Sequence, residues 1–410
     1  MSFYQSIISE RLGGNNFGKE EKIYKFEKIK RAKALAKKEH PELPLIDMGV
    51  GEPDSQADDM IIQKLCEEAG KLENRFYADN GIVEFQEMAC KYMEEVYGVK
   101  GLEPDKNIIH GIGSKSILAI LPLCVINPGD VVIMTTPGYP VLGTYTKYLG
   151  GEVYNLPLTE ENNFYPDLSM IPQDILKRSK MLYINYPNNP TGQVATVEFF
   201  EGVVKFAKEN HIMVVHDAAY AALVYDDTKP LSFLSVSGAM DIGVEVQSLS
   251  KAFNMTGWRM AFLVGDEKIV KAYGTIKDNT DSGQFRAIQK SASVALNNTS
   301  ITKRVCEKYS RRLELLTKAL NEVGFHAKKS PGTFYCYVKS PIGTKLGDKF
   351  ETAEDAAEYL IKNAVVSTVP WDDAGAYLRL SVTFDAQNKD EEKKIINELK
   401  ERLLKLELVF

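Results

Sequence analysis

Short apolar runs, each stopping at a polar residue or a glycine, constrain this chain more than any other feature. They are Ile108 to Ile112, Val131 to Met134, Met181 to Tyr186 and Ile212 to His216, with helical patterns such as Ser116 to Val125 and Glu198 to Glu209 between them. Ile242, Val244 and Val246 then alternate as in a strand, and a further run, Met260 to Val264, follows Arg259. Strands that read as mostly apolar and are joined by helices build a parallel sheet covered on both faces. In such sheets ligands bind beyond the carboxyl ends of the strands. Asn189, Asp217 and Ser248 each stand just past such an end, so a site is expected along that rim.

The stretch Val246-Gln-Ser-Leu-Ser-Lys251-Ala-Phe-Asn-Met-Thr-Gly-Trp-Arg259 says what kind of site. A lysine held between two strands is costly to bury unless it is paired or deprotonated. A neutral lysine amine can attack an aldehyde and stay covalently bound as a Schiff base. Ser248, Ser250 and Arg259 add two hydroxyls and a guanidinium, which suit a phosphate. An aldehyde that carries a phosphate describes pyridoxal 5′-phosphate (PLP). In isolation the same residues could be a hairpin with a snorkelling lysine, so the rest of the chain has to decide.

It supplies the other parts. Asp217 could cap a helix, but beside a PLP lysine it would keep the pyridine nitrogen protonated and the ring an electron sink. Tyr220 and Asn189 could hydrogen-bond the ring's phenolic oxygen, and Tyr139 offers a face for stacking. Gly113-Ser114-Lys115 opens a helical run, and a helix N-terminus is a ready anion site. Gly51, after the short strand Leu45 to Met48, lets the backbone come close to something. Arg379 lies on an apolar strand, Tyr377 to Val382, where it needs an anionic partner.

Composition excludes several classes. A net charge of −6 over 410 residues argues against nucleic acid and anionic membranes as partners. The longest apolar stretch, Ile117 to Ile126, contains Pro122 and is too short to span a bilayer. Five scattered cysteines suit a reducing cytoplasm, no signal peptide is legible in Met1 to Gly14, and five scattered histidines give no metal ligand spacing. Beyond Gly324 the pattern changes to mixed strands and helices: Phe334 to Val338, Ala353 to Asn363, Val365 to Val369 and Asp390 to Leu406. Three units are expected: 1–50, packing with the last unit; 51–320, the large one; and 321–410, a smaller α+β one.

Four motifs in order, Asn188-Asn189-Pro190-Thr191-Gly192, Asp217-Ala-Ala-Tyr220, Ser248-Leu-Ser-Lys251 with Arg259, and Tyr377-Leu-Arg379-Leu-Ser, carry a family resemblance. From about Leu45 to Ser381 the chain resembles the class I/II aminotransferases, fold-type I PLP enzymes. The resemblance implies an α/β fold: a large PLP-binding domain with a mainly parallel seven-stranded sheet, aspartate aminotransferase-like, plus the smaller domain. It implies a homodimer with shared active sites, in which Tyr77 reaches the neighbouring subunit's cofactor phosphate. It also implies that Arg379 binds the substrate α-carboxylate, with a backbone contact from Gly51. One departure is that Phe85-Gln86 stands where members often have Leu-Arg.

Within the family the chain resembles the LL-diaminopimelate aminotransferases, through Tyr24-Lys-Phe26-Glu-Lys-Ile29 and Gly113-Ser114-Lys115. That implies LL-diaminopimelate as donor and 2-oxoglutarate as acceptor, in lysine biosynthesis. Tyr24, Lys115 and Gln284, with Tyr139 and Asn189 nearer the ring, are then the candidate substrate contacts. Aspartate, alanine or aromatic donors stay open, with Lys277 and Arg286 as possible cations for a short side-chain carboxylate. A C–S lyase or a non-catalytic metabolite sensor are more distant alternatives.

Overall fold

The computed structural model describes residues 3–19 and 25–410. After a two-residue β1 (Ile46–Asp47), the apolar runs become β2 (Ile108–Ile112), β3 (Val131–Thr136), β5 (Ser179–Asn185), β6 (Met213–Asp217), β7 (Gly243–Ser248) and β8 (Met260–Gly265). With β4 (Glu152–Pro157) they form one seven-stranded sheet in the order β2-β8-β7-β6-β5-β3-β4. β8 runs antiparallel to both its neighbours, and every other pair is parallel. Adjacent residues of one strand enter different cores. Val214 packs with Leu182, Ile184 and Phe262, whereas Val215 packs with Met181, Tyr183 and Leu263. Both faces are covered, which is why these strands read as unbroken apolar runs.

The reversal of β8 positions the site. Ser248, at the end of β7, pairs with Ala261, and Ile112, at the end of β2, pairs with Met260. Arg259, just before β8, therefore reaches the same rim as the carboxyl ends of the parallel strands. Asn185 and Asp217 are also register partners there.

Among the elements that escaped the sequence reading are the helices Val141–Tyr148 and Gln173–Arg178 and the strand β4. β4 is an edge strand in which Glu152, Asn155 and Pro157 are exposed and only Leu156 is fully buried, so no apolar run marks it. The strand expected over Val365 to Val369 is in fact two. Val365 is a left-handed helix cap with φ 53°; after it β11 (Val366–Ser367) and β12 (Val369–Trp371) serve different sheets.

The C-terminal region holds β9 (Tyr335–Lys339), β10 (Gly343–Thr344), β11, β12, β13 (Tyr377–Ser381) and β14 (Leu408–Val409). β12, β13 and β9 form an antiparallel sheet, while β11 pairs in parallel with β1. The helix Lys25–Glu39 buries Ile29 and Ala36 against Ile361 and Val365. The 25-residue helix Thr299–Val323 runs unbroken between the two regions. At its middle, buried Arg312 bonds Asp54 Oδ2 (3.2 Å) and Glu392 Oε1 (2.8 Å). Losing one partner of so buried a pair costs about 3–5 kcal/mol, because the remaining charge stays uncompensated. Phe85, at the departure noted above, is fully buried edge-on to Phe262, and Gln86 Nε2 donates to Ile108 O, 3.1 Å away. Among the described residues no helix is long and apolar enough to cross a membrane.

Candidate active site

Lys251 rises from the end of β7 on a single helical turn, Leu249–Ala252, which Ser248 starts by accepting the Ser250 N–H on its Oγ (3.2 Å). Its Nζ donates to Gly51 O, 2.7 Å away. Burial pushes the ammonium down to about 8, with Glu52 opposing the shift and Arg259 and Arg379 adding to it. A lysine in that range is partly neutral near physiological pH, as a nucleophilic amine must be.

Asp217 ends β6 and is buried. Its Oδ2 accepts the Tyr183 hydroxyl (2.9 Å) and its Oδ1 the Ala219 N–H (3.2 Å). Turns rather than a helix follow, so it caps no helix. Burial raises its pKa, and the Tyr183 and Ala219 hydrogen bonds resist the rise. Among the described residues no cation stands within salt-bridge range of this carboxylate. Asn185 Nδ2 bonds Asp217 O (2.8 Å) and its Oδ1 accepts the Asn189 N–H (2.9 Å), tying the two strand ends together.

Arg379, on β13, is buried with 5% exposure. Nη1 donates to Asn189 Oδ1 (2.8 Å), Nη2 to Gly49 O (3.2 Å), and Nε has no partner among the described residues. Among the described residues it makes no salt bridge, so the structural ion pair that would explain a buried arginine is missing. Its guanidinium lies 4.1 Å over the ring of Tyr335. The Tyr335 hydroxyl meets that of Tyr220 at 2.9 Å, and a side chain at Gly51 would sit 2.9 Å from the same oxygen. Burial and the neighbouring Tyr335 hold the Tyr220 hydroxyl far above its ordinary pKa, hence protonated.

The fourth corner is polar. Gly113 has φ 76°, and a side chain there would collide with the Arg259 guanidinium, the ideal Cβ lying 2.1 Å from Nη2. Glycine thus lets Arg259 lie against the start of the twelve-residue helix Ser114–Val125, where free N–H groups favour an anion. Ser248 and Ser250 are buried, Ser114 half-buried and Lys115 exposed in that first turn. Tyr139 is half-buried against the core that contains Val246.

The remaining candidates lie apart. Tyr77 is 76% exposed, and its carbonyl holds the Arg286 guanidinium. Gln284 spends its amide inside its own chain: Nε2 donates to Trp258 O and Arg259 O (3.0 Å each), and Oε1 accepts the Phe285 N–H. In this chain it braces Arg259 rather than projecting a free amide. Tyr24 lies outside the described residues.

A lysine near neutrality, an unpaired buried carboxylate, an arginine without an anion and an arginine-lined helix start thus meet along one rim. Comparison with known proteins agrees. The family model "Aminotransferase class I and II" matches residues 44–396. The chain belongs to the class I and II aminotransferases. It is 59% identical to a protein of Methanocaldococcus jannaschii named LL-diaminopimelate aminotransferase, over 100% of this chain and 99% of the other. Substrate-bound BacF of Bacillus subtilis superposes with a TM-score of 0.86 at 30% identity, covering 100% and 98% of the two chains. A single mutant of Thermus thermophilus aspartate aminotransferase gives 0.85 at 25% identity, covering 97% of this chain and 99% of the other. The fold is aspartate aminotransferase-like.

Aminotransferases of this class depend on PLP, and the residues present fit that group. Among the described residues Asp217 lacks a cation that a protonated ring nitrogen would supply, and Arg259 at the start of the helix Ser114–Val125 sets a guanidinium beside free N–H groups that suit a phosphate. Two residues of this aminotransferase were missed in the sequence. Tyr183 gave one signal, a hydroxyl within a buried strand, which needs a partner. Tyr335 gave none before the register was known. It shares a face of the small sheet with Arg379 because Tyr337, two residues on, pairs directly with Arg379.

Proposed function

We propose that this aminotransferase takes LL-diaminopimelate as amino donor and 2-oxoglutarate as acceptor, a reaction of lysine biosynthesis. The observation that carries the reading is the 59% identity, over the whole chain, to a relative bearing that name. When bound, PLP supplies an electrophilic carbon and an electron sink. Lys251 would hold it and, once released, its amine would take the proton from the substrate Cα. Asp217, positioned by Tyr183, keeps the ring nitrogen protonated. Tyr220 and Asn189 would hydrogen-bond the cofactor's phenolic oxygen, and Tyr139 would stack on its ring. Gly113, Ser114, Lys115, Ser248, Ser250 and Arg259 hold the phosphate, joined by Tyr77 of a second copy.

Arg379 takes the near α-carboxylate edge-on, since Tyr335 covers one face of its guanidinium and Nε is free to donate. Gly51 gives the backbone close approach. Tyr24 and Lys115 serve the far, zwitterionic end. An aspartate site would need a free cation for a short carboxylate. Lys277 is fully buried on Asp281 (2.6 Å) and Asp79 O (2.7 Å), and Arg286 is spent on Tyr77 O, which disfavours that alternative. The same reading takes the enzyme to be a cytoplasmic homodimer with units 1–50, 51–320 and 321–410. Its test is kcat/KM for a donor panel with 2-oxoglutarate. LL-diaminopimelate should exceed aspartate, alanine and aromatic amino acids by about a hundredfold or more, because a site built for hydrogen-bonding groups rejects donors that lack them. Equal or better turnover of aspartate would overturn it.

A further inference from the structure

Tyr335 stands where three chain segments meet. Its ring carries Arg379 on one face (4.1 Å), its hydroxyl meets the Tyr220 hydroxyl (2.9 Å), and only a glycine at position 51 leaves that oxygen its space. It is 1% exposed and sits on β9 of the small sheet, whereas Tyr220 follows β6 of the large one. The contact therefore joins the element that carries the carboxylate-binding arginine to the element that faces the cofactor.

Two buried hydroxyls share one hydrogen bond, and its direction matters. Each hydroxyl has one proton to give. If Tyr220 donated to Tyr335, it would have nothing left for the phenolic oxygen of PLP. Among the described residues Tyr335 has no other acceptor for its own proton. With Tyr335 donating, Tyr220 accepts on its oxygen and keeps its proton free. We propose that Tyr335 is a positioning residue with two separable jobs: its hydroxyl aims the Tyr220 proton at the cofactor's phenolic oxygen, and its ring holds the Arg379 guanidinium for the substrate carboxylate. The proposal rests on PLP dependence and not on the identity of the donor.

Tyr335→Phe separates the jobs, since it removes the hydroxyl and keeps the ring. A donor aimed at the phenolic oxygen stabilises its negative charge and lowers the basicity of the lysine–cofactor linkage, which the visible band of the holoenzyme reports. In Tyr335→Phe the pH midpoint of that band should rise by about one pH unit, the order of one hydrogen bond to a charged group. The KM for the amino acid should stay within about twofold, because the stacked ring remains under Arg379. Tyr335→Leu should show the same rise and, in addition, an increase in KM of about tenfold from loss of the stacked face. In a Tyr220→Phe background, Tyr335→Phe should move the midpoint no further. The titration is read on holoenzyme, and KM is taken with whichever amino acid turns over fastest, so a wrong donor assignment leaves the test intact. An unmoved midpoint in Tyr335→Phe, or an equal rise in the Tyr220→Phe background, would overturn the proposal.

Discussion

The buried end of the site and its exposed end are built in opposite ways. Lys251, Asp217 and Arg379 are anchored by hydrogen bonds within the chain, to Gly51 O, to Tyr183 and Ala219, and to Asn189 and Gly49 O. At the other end Lys115 and Tyr77 are exposed, and Tyr24 lies outside the described residues. Chemistry common to the family is fixed by burial, where a misplaced charge is expensive. Under the proposed function, selection of the substrate falls to side chains that gain partners when a substrate or a second copy arrives. Substitutions should therefore cost most at the buried end and discriminate between donors only at the exposed end.

The largest effect is expected at Lys251. Lys251→Ala should lower kcat by about 10⁴-fold or more for every donor alike, since both the covalent anchor and the proton carrier go. Near-normal steady-state turnover would refute its role. Next comes Asp217→Asn, which keeps the shape and removes the charge. PLP should still bind, while kcat falls by about 10²–10³-fold, as when other groups that stabilise developing charge are lost. Thermal melting checks the alternative: an unstable protein whose folded fraction works normally would make Asp217 a structural residue only.

A smaller effect sharpens the contrast. Lys115→Ala should lower kcat/KM for LL-diaminopimelate by about tenfold, the order of one exposed charged contact, and change aspartate turnover much less. Equal losses for both donors would leave Lys115 with the phosphate alone. The mildest test is pH. The Lys251 ammonium sits at about 8, below its ordinary 10.5, because burial disfavours the charge. The neutral amine is the attacking form, and its fraction grows as pH rises through that value. The rate at which apoenzyme recovers its visible band on adding PLP should rise about tenfold per pH unit below 8 and level off above it. A midpoint near that of free lysine would show that the cleft does not desolvate Lys251.

The same contrast governs how much could be read from the sequence. The buried rim was legible because each of its residues ends an apolar run: Asp217 after Met213 to His216, Ser248 after Val246, and Arg259 before Met260. β4 was not, since an edge strand with exposed Glu152, Asn155 and Pro157 carries no apolar signature. Tyr335 was invisible for another reason. Its importance comes from pairing across β9 and β13, contacts between residues more than forty positions apart. Gln284, suggested by a loop resembling one contributed across a dimer, donates within its own chain to Trp258 O and Arg259 O, contacts that its sequence context did not reveal.

The reversed strand β8 has a consequence for how this chain tolerates insertions and deletions. Lys251 and Arg259 belong to one U-turn, with Ser248 and Ala261 facing each other across its base. Lys251 and Arg259, the proposed covalent and ionic anchors, are thus spaced by loop length alone, and both strands of the turn are locked into a fully buried sheet. Adding even one residue between Ala252 and Trp258 would leave the sheet intact and separate the anchors. Most surface loops absorb such changes; this one acts as a ruler.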